Sequence, residues 1–177
     1  MFVLKDIPKS RVSTLKTIVS VVLGASYSSQ WYADVPRLGP LAQLIYEVPD
    51  SGESSDENDH HDHPSSESNG VPVGAIRCAL DPYNPVKDGP ADTRPRVYIM
   101  VIAVLAPFRG LGAGTMMLNH IVEHAKQLDA KAVYLHVRAT DTDSQQWYSR
   151  RGFVETGRVP GYYRQTGGDA FIYTLDL

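Results

Sequence analysis

Residues 109–114 of this chain read Arg-Gly-Leu-Gly-Ala-Gly, placing one guanidinium and three glycines between an apolar run and a second apolar stretch at helical spacing. A turn of this composition at the start of a helix suits an anion. Backbone N–H groups without intrahelical partners and the positive end of the helix dipole both favour phosphate there. Arg109 marks the entrance, and Gly110, Gly112 and Gly114 keep side chains away from the approaching charge. The loop lacks the Lys-Ser/Thr pair of a nucleotide-triphosphatase loop, and its Gly-x-Gly-x-Gly spacing is not the dinucleotide fingerprint. It does fit Arg/Gln-x-x-Gly-x-Gly/Ala.

Three other groups of residues carry chemical types worth weighing. His120-Ile121-Val122-Glu123-His124 matches the H-x-x-E-H spacing of an inverted zinc peptidase. Helical phase sets His120 and His124 opposite the apolar stripe, toward solvent, so no zinc site is expected. His60, His61 and His63 lie among Asp59 and Asp62, donors that suit zinc or nickel. Their setting reads instead as an unstructured polar insertion. Cys78, the single cysteine, sits inside the apolar segment VPVGAIRCAL, so it reads as a packed strand residue in a reducing compartment.

These residues need elements to position them. A helix is expected from about Lys9 to Leu23, with apolar side chains through Ile18, Val19 and Val22. The segment from Gly24 to Tyr32 reads as a surface loop entering a short helical turn. Leu41–Val48, Val71–Leu80 and Val97–Leu105 read as strands, the last running straight into the glycine loop. The following helix carries Leu118, Ile121, Val122, Ala125 and Leu128 on one face. Ala132–Arg138 alternates as a strand, with Ala132, Tyr134, His136 and Arg138 on one side. Asp141–Arg151 reads as a short capped helix ended by Gly152, and strands follow from Phe153 and from Ala170 to Leu177. Helices interleaved with strands predict an α/β domain on a mixed sheet.

Two segments interrupt this order: an acidic insertion over 50–70 and a proline-rich loop over 81–96. The insertion is rich in Ser, Asp, Glu and His, too polar to bury the surface that ordering requires. It also distorts the charge balance. The chain carries 17 basic and 20 acidic side chains, but seven of the acids fall within 50–67, so the remainder has a surplus of four positive charges. That mild surplus suits an anionic cofactor and is too weak to argue for nucleic acid. No apolar run reaches the ~20 residues of a membrane span, and the first ten residues lack a signal-peptide core. A single domain over residues 1–177 is expected, with a cytoplasmic location and no membrane partner.

Val97–Leu118, Tyr134-Leu135-His136-Val137, the segment Thr142-Asp143-Ser144 to Phe153 containing Trp147-Tyr148-Ser149-Arg150-Arg151-Gly152, and Gly161-Tyr162-Tyr163-Arg164 together resemble the GNAT acetyltransferases. Within them the chain is similar to the catalytic subunits of NatE-type N-terminal acetyltransferases. The resemblance extends to Ser26-Tyr27 and Trp31–Val35. It implies a GNAT fold, a mixed and mostly antiparallel sheet of about seven strands flanked by about four helices. It also implies transfer of acetyl from acetyl-CoA to the α-amine of a protein N-terminus, often a retained methionine.

The resemblance then assigns residues. The backbone of Arg109, Gly110, Leu111, Gly112, Ala113, Gly114 and Thr115 would hold the pyrophosphate. Ile102, Ala103, Val104 and Leu105 would pair along the pantetheine arm, and Asp141, Ser144 and Tyr148 would flank the thiol end, with Tyr148 as a proton donor to the leaving thiolate. Tyr98 and His136 correspond to the pair that binds the water relaying the amine proton. Leu23, Gly24, Ala25, Tyr27, Met100, Tyr162 and Tyr163 correspond to peptide-binding positions. Partners implied are protein or peptide N-termini and the subunits of a ribosome-associated NatA-type complex, with a nuclear fraction in addition to the cytoplasmic one.

The chemistry agrees with that assignment. An α-amine with a pKa near ~8 is roughly a tenth neutral at pH 7, whereas a lysine amine near ~10.4 is neutral in fewer than about one molecule in a thousand. A weak base acting through water therefore suffices for the first. Tyr98 and His136 sit mid-strand on separate strands and face one cleft if those strands are neighbours. Two departures stand out: Leu23-Gly24-Ala25 replaces the Phe-Pro-Val of relatives, predicting a looser grip on the first side chain, and Asp141 stands where relatives tend to carry Asn. The other readings are a lysine or small-amine acetyltransferase, and a scaffold subunit that binds acetyl-CoA poorly.

Overall fold

The computed structural model describes residues 1–49, 70–82 and 92–177, so most of the acidic insertion and most of the proline-rich loop lie outside the described residues. Seven strands form one sheet in the order β1-β2-β3-β4-β5-β7-β6. They are β1 Phe2–Asp6, β2 Ala42–Glu47, β3 Val71–Asp81, β4 Arg96–Val104, β5 Ala132–Arg138, β6 Val154–Val159 and β7 Ala170–Asp176. Four described α-helices accompany them: α1 Val12–Leu23, α2 Ser29–Ala33, α3 Ala113–Gln127 and α4 Thr142–Ser149. Two compact units share this chain: Met1–Ala75 with Ala103–Met117, and Ile76–Ile102 with Leu118–Leu177.

In the first unit, α1 buries Leu15, Ile18 and Val19, spaced so that three side chains fall on one stripe. The expected start at Lys9 is a 3-10 turn over Lys9–Arg11 that feeds into the helix. Gly24 ends it in the left-handed region at φ +59°, and its N–H donates to Ser20 O at 3.0 Å. Strand β2 is buried on both faces from Ala42 to Tyr46 and pairs antiparallel with β1. Strand β1 was not foreseen: its residues Phe2 to Lys5 are all half-buried, so neither alternation nor a solid apolar run advertises it. At Gly74 a Cβ would lie 2.5 Å from Ala103 O, and only glycine permits that approach of β3 to the end of β4.

In the second unit, β4 alternates cleanly. Val97, Ile99 and Val101 are buried on one face, and Arg96, Tyr98, Met100 and Ile102 are half-buried on the other. It pairs parallel with β5 from Arg96↔Ala132 to Tyr98↔Tyr134, and the pairing stops there although both strands continue. Strand β7 pairs antiparallel with β5 along its whole length and with β6 on its other side. The part of α3 in this unit packs through Leu118, Ile121 and Ala125, whereas Leu128, expected on that stripe, is exposed.

Candidate active site

Tyr98 and Tyr134 are register partners on the parallel pair, and His136 follows two residues along β5, on the same face. The strands are neighbours, as the joint use of Tyr98 and His136 requires. The Tyr98 hydroxyl lies 3.1 Å from His136 Nδ1 and 2.9 Å from the Tyr162 hydroxyl. Tyr162 comes from the β6–β7 connection and stacks on the imidazole, centroids 4.3 Å apart and planes 10° from parallel. Three polar groups therefore form one hydrogen-bonded chain, ending at Tyr162 with 38% of its surface exposed. Half-burial of the His136 ring disfavours its cation and lowers its pKa from the ordinary histidine value. A neutral imidazole at pH 7 is able to accept a proton.

Behind this chain stands a support the sequence reading did not single out. Tyr134 stacks under Tyr98, centroids 4.9 Å apart, and donates its hydroxyl to Asp81 Oδ2 at 2.9 Å. Asp81 also takes a 2.9 Å ion pair from Arg96, whose guanidinium lies over the Tyr134 ring. Burial and the Asp81 carboxylate push the Tyr134 phenol up, keeping it a donor. The signal was present in β5, where the alternation put Tyr134, His136 and Arg138 on one side.

The other expected residues of this unit have defined partners. Arg77, buried on β3, directs a guanidinium N–H to Met100 Sδ. Tyr163 is covered by the Arg138 guanidinium, 4.0 Å from the ring centroid. Arg138 also donates to Gly167 O at 2.7 Å and to Thr166 Oγ1 at 2.6 Å. From the other side Asp169 accepts from Gly161 N at 2.9 Å and from Arg158 Nε at 2.9 Å. These contacts fix the loop that carries Tyr162 and Tyr163. Asp141 caps α4, accepting from Ser144 N at 3.0 Å and Ser144 Oγ at 2.6 Å, so the polar atoms of both residues meet each other. Tyr148 is buried, and burial, the Cys78 thiol and the Asp141 carboxylate together push its phenol up.

The first unit holds the glycine loop. Gly110 and Gly112 adopt φ +76° and +96°, and a Cβ on either would point into open space. Leu111 between them is exposed, and α3 begins at Ala113. Gly114 and Thr115 lie in the first turn of α3, with helical backbone rather than the turn conformation of the first two glycines. Arg109 folds back, its Nε donating to Val104 O at 3.0 Å, and Leu105 N is taken by Val73 O at 2.8 Å. Two of the backbone groups expected along the pantetheine arm are thus engaged within the unit. Leu23 is exposed at the end of α1, and Tyr27 stacks on Trp31 with centroids 4.2 Å apart. Ser28 caps α2 by accepting from Trp31 N.

No group of three or more His, Cys, Asp or Glu side chains able to hold a metal occurs among the described residues. His120 and His124 are half-buried rather than fully solvent-facing.

The sequence profile of the acetyltransferase (GNAT) family matches residues 27–153. The chain belongs to that family. The GNAT relatives include N-alpha-acetyltransferase 50 of Danio rerio, 29% identical over 163 residues that cover 92% of this chain and 80% of that protein. The probable N-acetyltransferase san of Drosophila melanogaster is 28% identical over 92% of this chain and 73% of its own. Among solved structures, Arabidopsis thaliana Naa50 in complex with the bisubstrate analogue CoA-Ac-MVNAL superposes with a TM-score of 0.76 at 26% identity, covering 99% of each chain. Arabidopsis thaliana NAA60 in complex with acetyl-CoA shares the fold, with a TM-score of 0.78 at 18% identity over the whole of both chains.

A GNAT acetyltransferase draws its acetyl group from acetyl-CoA, and the glycine loop fits such a donor. Two left-handed glycines with nothing beyond their Cα atoms leave room for phosphate against the backbone, and the N-terminus of α3 follows at once. Among the described residues, the β4–β5 register ends at Tyr98↔Tyr134.

Proposed function

We propose that this GNAT acetyltransferase moves acetyl from acetyl-CoA to the α-amine of a protein N-terminus, with methionine-starting termini as its preferred class. The observation that carries the reading is the direct contact between the Tyr98 hydroxyl and the neutral His136 imidazole. Such a pair relieves an α-ammonium of its proton but is a poor match for the much more basic lysine amine. The N-alpha-acetyltransferase names of the relatives support the same substrate class.

In this reading Arg109 to Thr115 hold the pyrophosphate, and the amine attacks the thioester carbonyl near Met100, Tyr98 and His136. The C–N bond forms as the C–S bond breaks, the leaving thiolate takes a proton from Tyr148, kept neutral by its burial, and the proton shed by the acylated nitrogen returns to the Tyr148 oxygen through solvent. Tyr27, Tyr162 and Tyr163 guide the peptide. Leu23-Gly24-Ala25 gives a small wall against the first side chain, so affinity for Met-hydrophobic termini is lower than in Phe-Pro-Val relatives. The protein works in the cytoplasm, alone or docked on a ribosome-associated NatA-type complex.

A panel of peptides differing at the first two residues tests this, assayed with wild type, Tyr98→Phe and His136→Ala. The expected result is turnover on α-amines, strongest with Met at the first position. Each substitution should lower kcat by at least about tenfold, toward the ~10²–10⁴-fold span of a general-base contribution. Turnover confined to lysine or small amines would overturn the substrate class, and undiminished rates in both variants would overturn the proton route.

A further inference from the structure

Tyr162 was expected only as a peptide contact, yet its hydroxyl sits 2.9 Å from that of Tyr98 and its ring covers His136. We propose that Tyr162 is the outer member of a three-group proton relay, taking the proton of the incoming α-ammonium and passing it through Tyr98 to His136 Nδ1. The proposal rests on the α-amine reading above.

The order of the groups gives the direction. Tyr162 is exposed, where a bulky amine substrate arrives, while Tyr98 and His136 are half-buried. With Nδ1 unprotonated, Tyr98 donates to it, which leaves the Tyr98 oxygen to accept from Tyr162. When the ammonium N–H breaks, its proton moves to the Tyr162 oxygen, the Tyr162 proton to Tyr98 and the Tyr98 proton to Nδ1. Each hydroxyl loses one proton and gains one, and the positive charge moves from the amine to the imidazolium. After the amine has attacked, His136 returns its proton to solvent.

Few charges compete for control of this histidine. Tyr98 approaches from β4, Tyr134 from β5 and Tyr162 from the β6–β7 loop, while Ile172 is its register partner on β7. Among the described residues, charge enters one contact further out, through Asp81 and Arg96 on Tyr134 and through Arg138 on Tyr163. The loop glycines Gly161, Gly167 and Gly168 take positive φ, which gives Tyr162 the turn it needs to reach back over the imidazole.

The Tyr162→Phe variant keeps the ring stack and removes the hydroxyl. At pH 7 only about a tenth of an α-amine is neutral, so an enzyme that has lost the relay depends on that tenth. The expected kcat on the best Met-starting peptide is about tenfold below wild type at pH 7 and within about twofold at pH 9.5, where the amine arrives neutral. Recovery at high pH also shows the variant to be folded. Breaking the relay twice should cost no more than breaking it once, so Tyr98→Phe/Tyr162→Phe should match Tyr98→Phe. A deficit of equal size at both pH values, a change confined to KM, or multiplying deficits in the double variant would overturn the relay and leave Tyr162 a peptide contact. Wild type inactive on every α-amine would instead overturn the proposed function, and the relay with it.

Discussion

At the scale of single residues, the proposed base is one imidazole whose described neighbours are aromatic rather than charged. Tyr98, Tyr134 and Tyr162 shield the His136 ring from water, and no carboxylate is placed beside it among the described residues. Desolvation therefore acts alone and lowers the pKa. The base form persists to lower pH than in an ordinary histidine, near 6.5. The acid limb of kcat/KM in wild type should then fall below about pH 6.5, and in His136→Ala it should move up toward the α-amine value near ~8. A pH series on one peptide checks both limbs; identical limbs in the two proteins would remove His136 from the proton path. The same shift bears on folding. The unfolded chain binds the proton more readily, so this contribution to stability is fully present above about pH 6.5 and is lost as the pH falls from there through the lower folded value.

At the scale of elements, the end of α1 sets the path of the segment proposed as a peptide wall. Gly24 holds φ +59°, and its N–H closes the helix onto Ser20 O. Proline, fixed near φ −65° and lacking the N–H, cannot take that place. A proline at this place would lack the cap, so Leu23-Gly24-Ala25 sets the path of the loop as well as its side chains. Gly24→Pro should cost about 3 kcal/mol and lower Tm by roughly 5–10 °C. Gly24→Ala, which keeps the N–H but carries a Cβ into the left-handed region, should cost about 1–2 kcal/mol. Thermal denaturation followed by circular dichroism measures both; a proline variant as stable as wild type would show that the cap is dispensable. The Asp169 and Arg138 contacts act on the β6–β7 loop in the same way, fixing the path on which two tyrosines ride.

At the scale of the whole chain, the strands that alternate or run solidly apolar were legible, since β4 and β5 each show two faces and β2 is a buried run. Strand β1 was not, because partial burial along its length erases the period-two signal. The glycine loop was legible as a turn leading into a helix, but the bond from Arg109 to Val104 O was not, since a flexible guanidinium chooses its acceptor only in three dimensions. Likewise Tyr98 and His136 were legible as a pair, whereas the bond from Tyr162 to Tyr98 joins residues 64 positions apart. Donor binding is the property that joins the loop to stability, because acetyl-CoA binds the folded chain and has no site on the unfolded one. At a concentration one hundred times its dissociation constant it should add about 2.7 kcal/mol, which raises Tm by roughly 5–10 °C in a chain of this size. A Gly112→Val variant, whose Cβ meets nothing within 4 Å but whose backbone is strained by about 1–3 kcal/mol at φ +96°, should lower the unliganded Tm by several degrees and lose most of that rise. An equal rise in both proteins would mean that the donor is not held at the glycine turn.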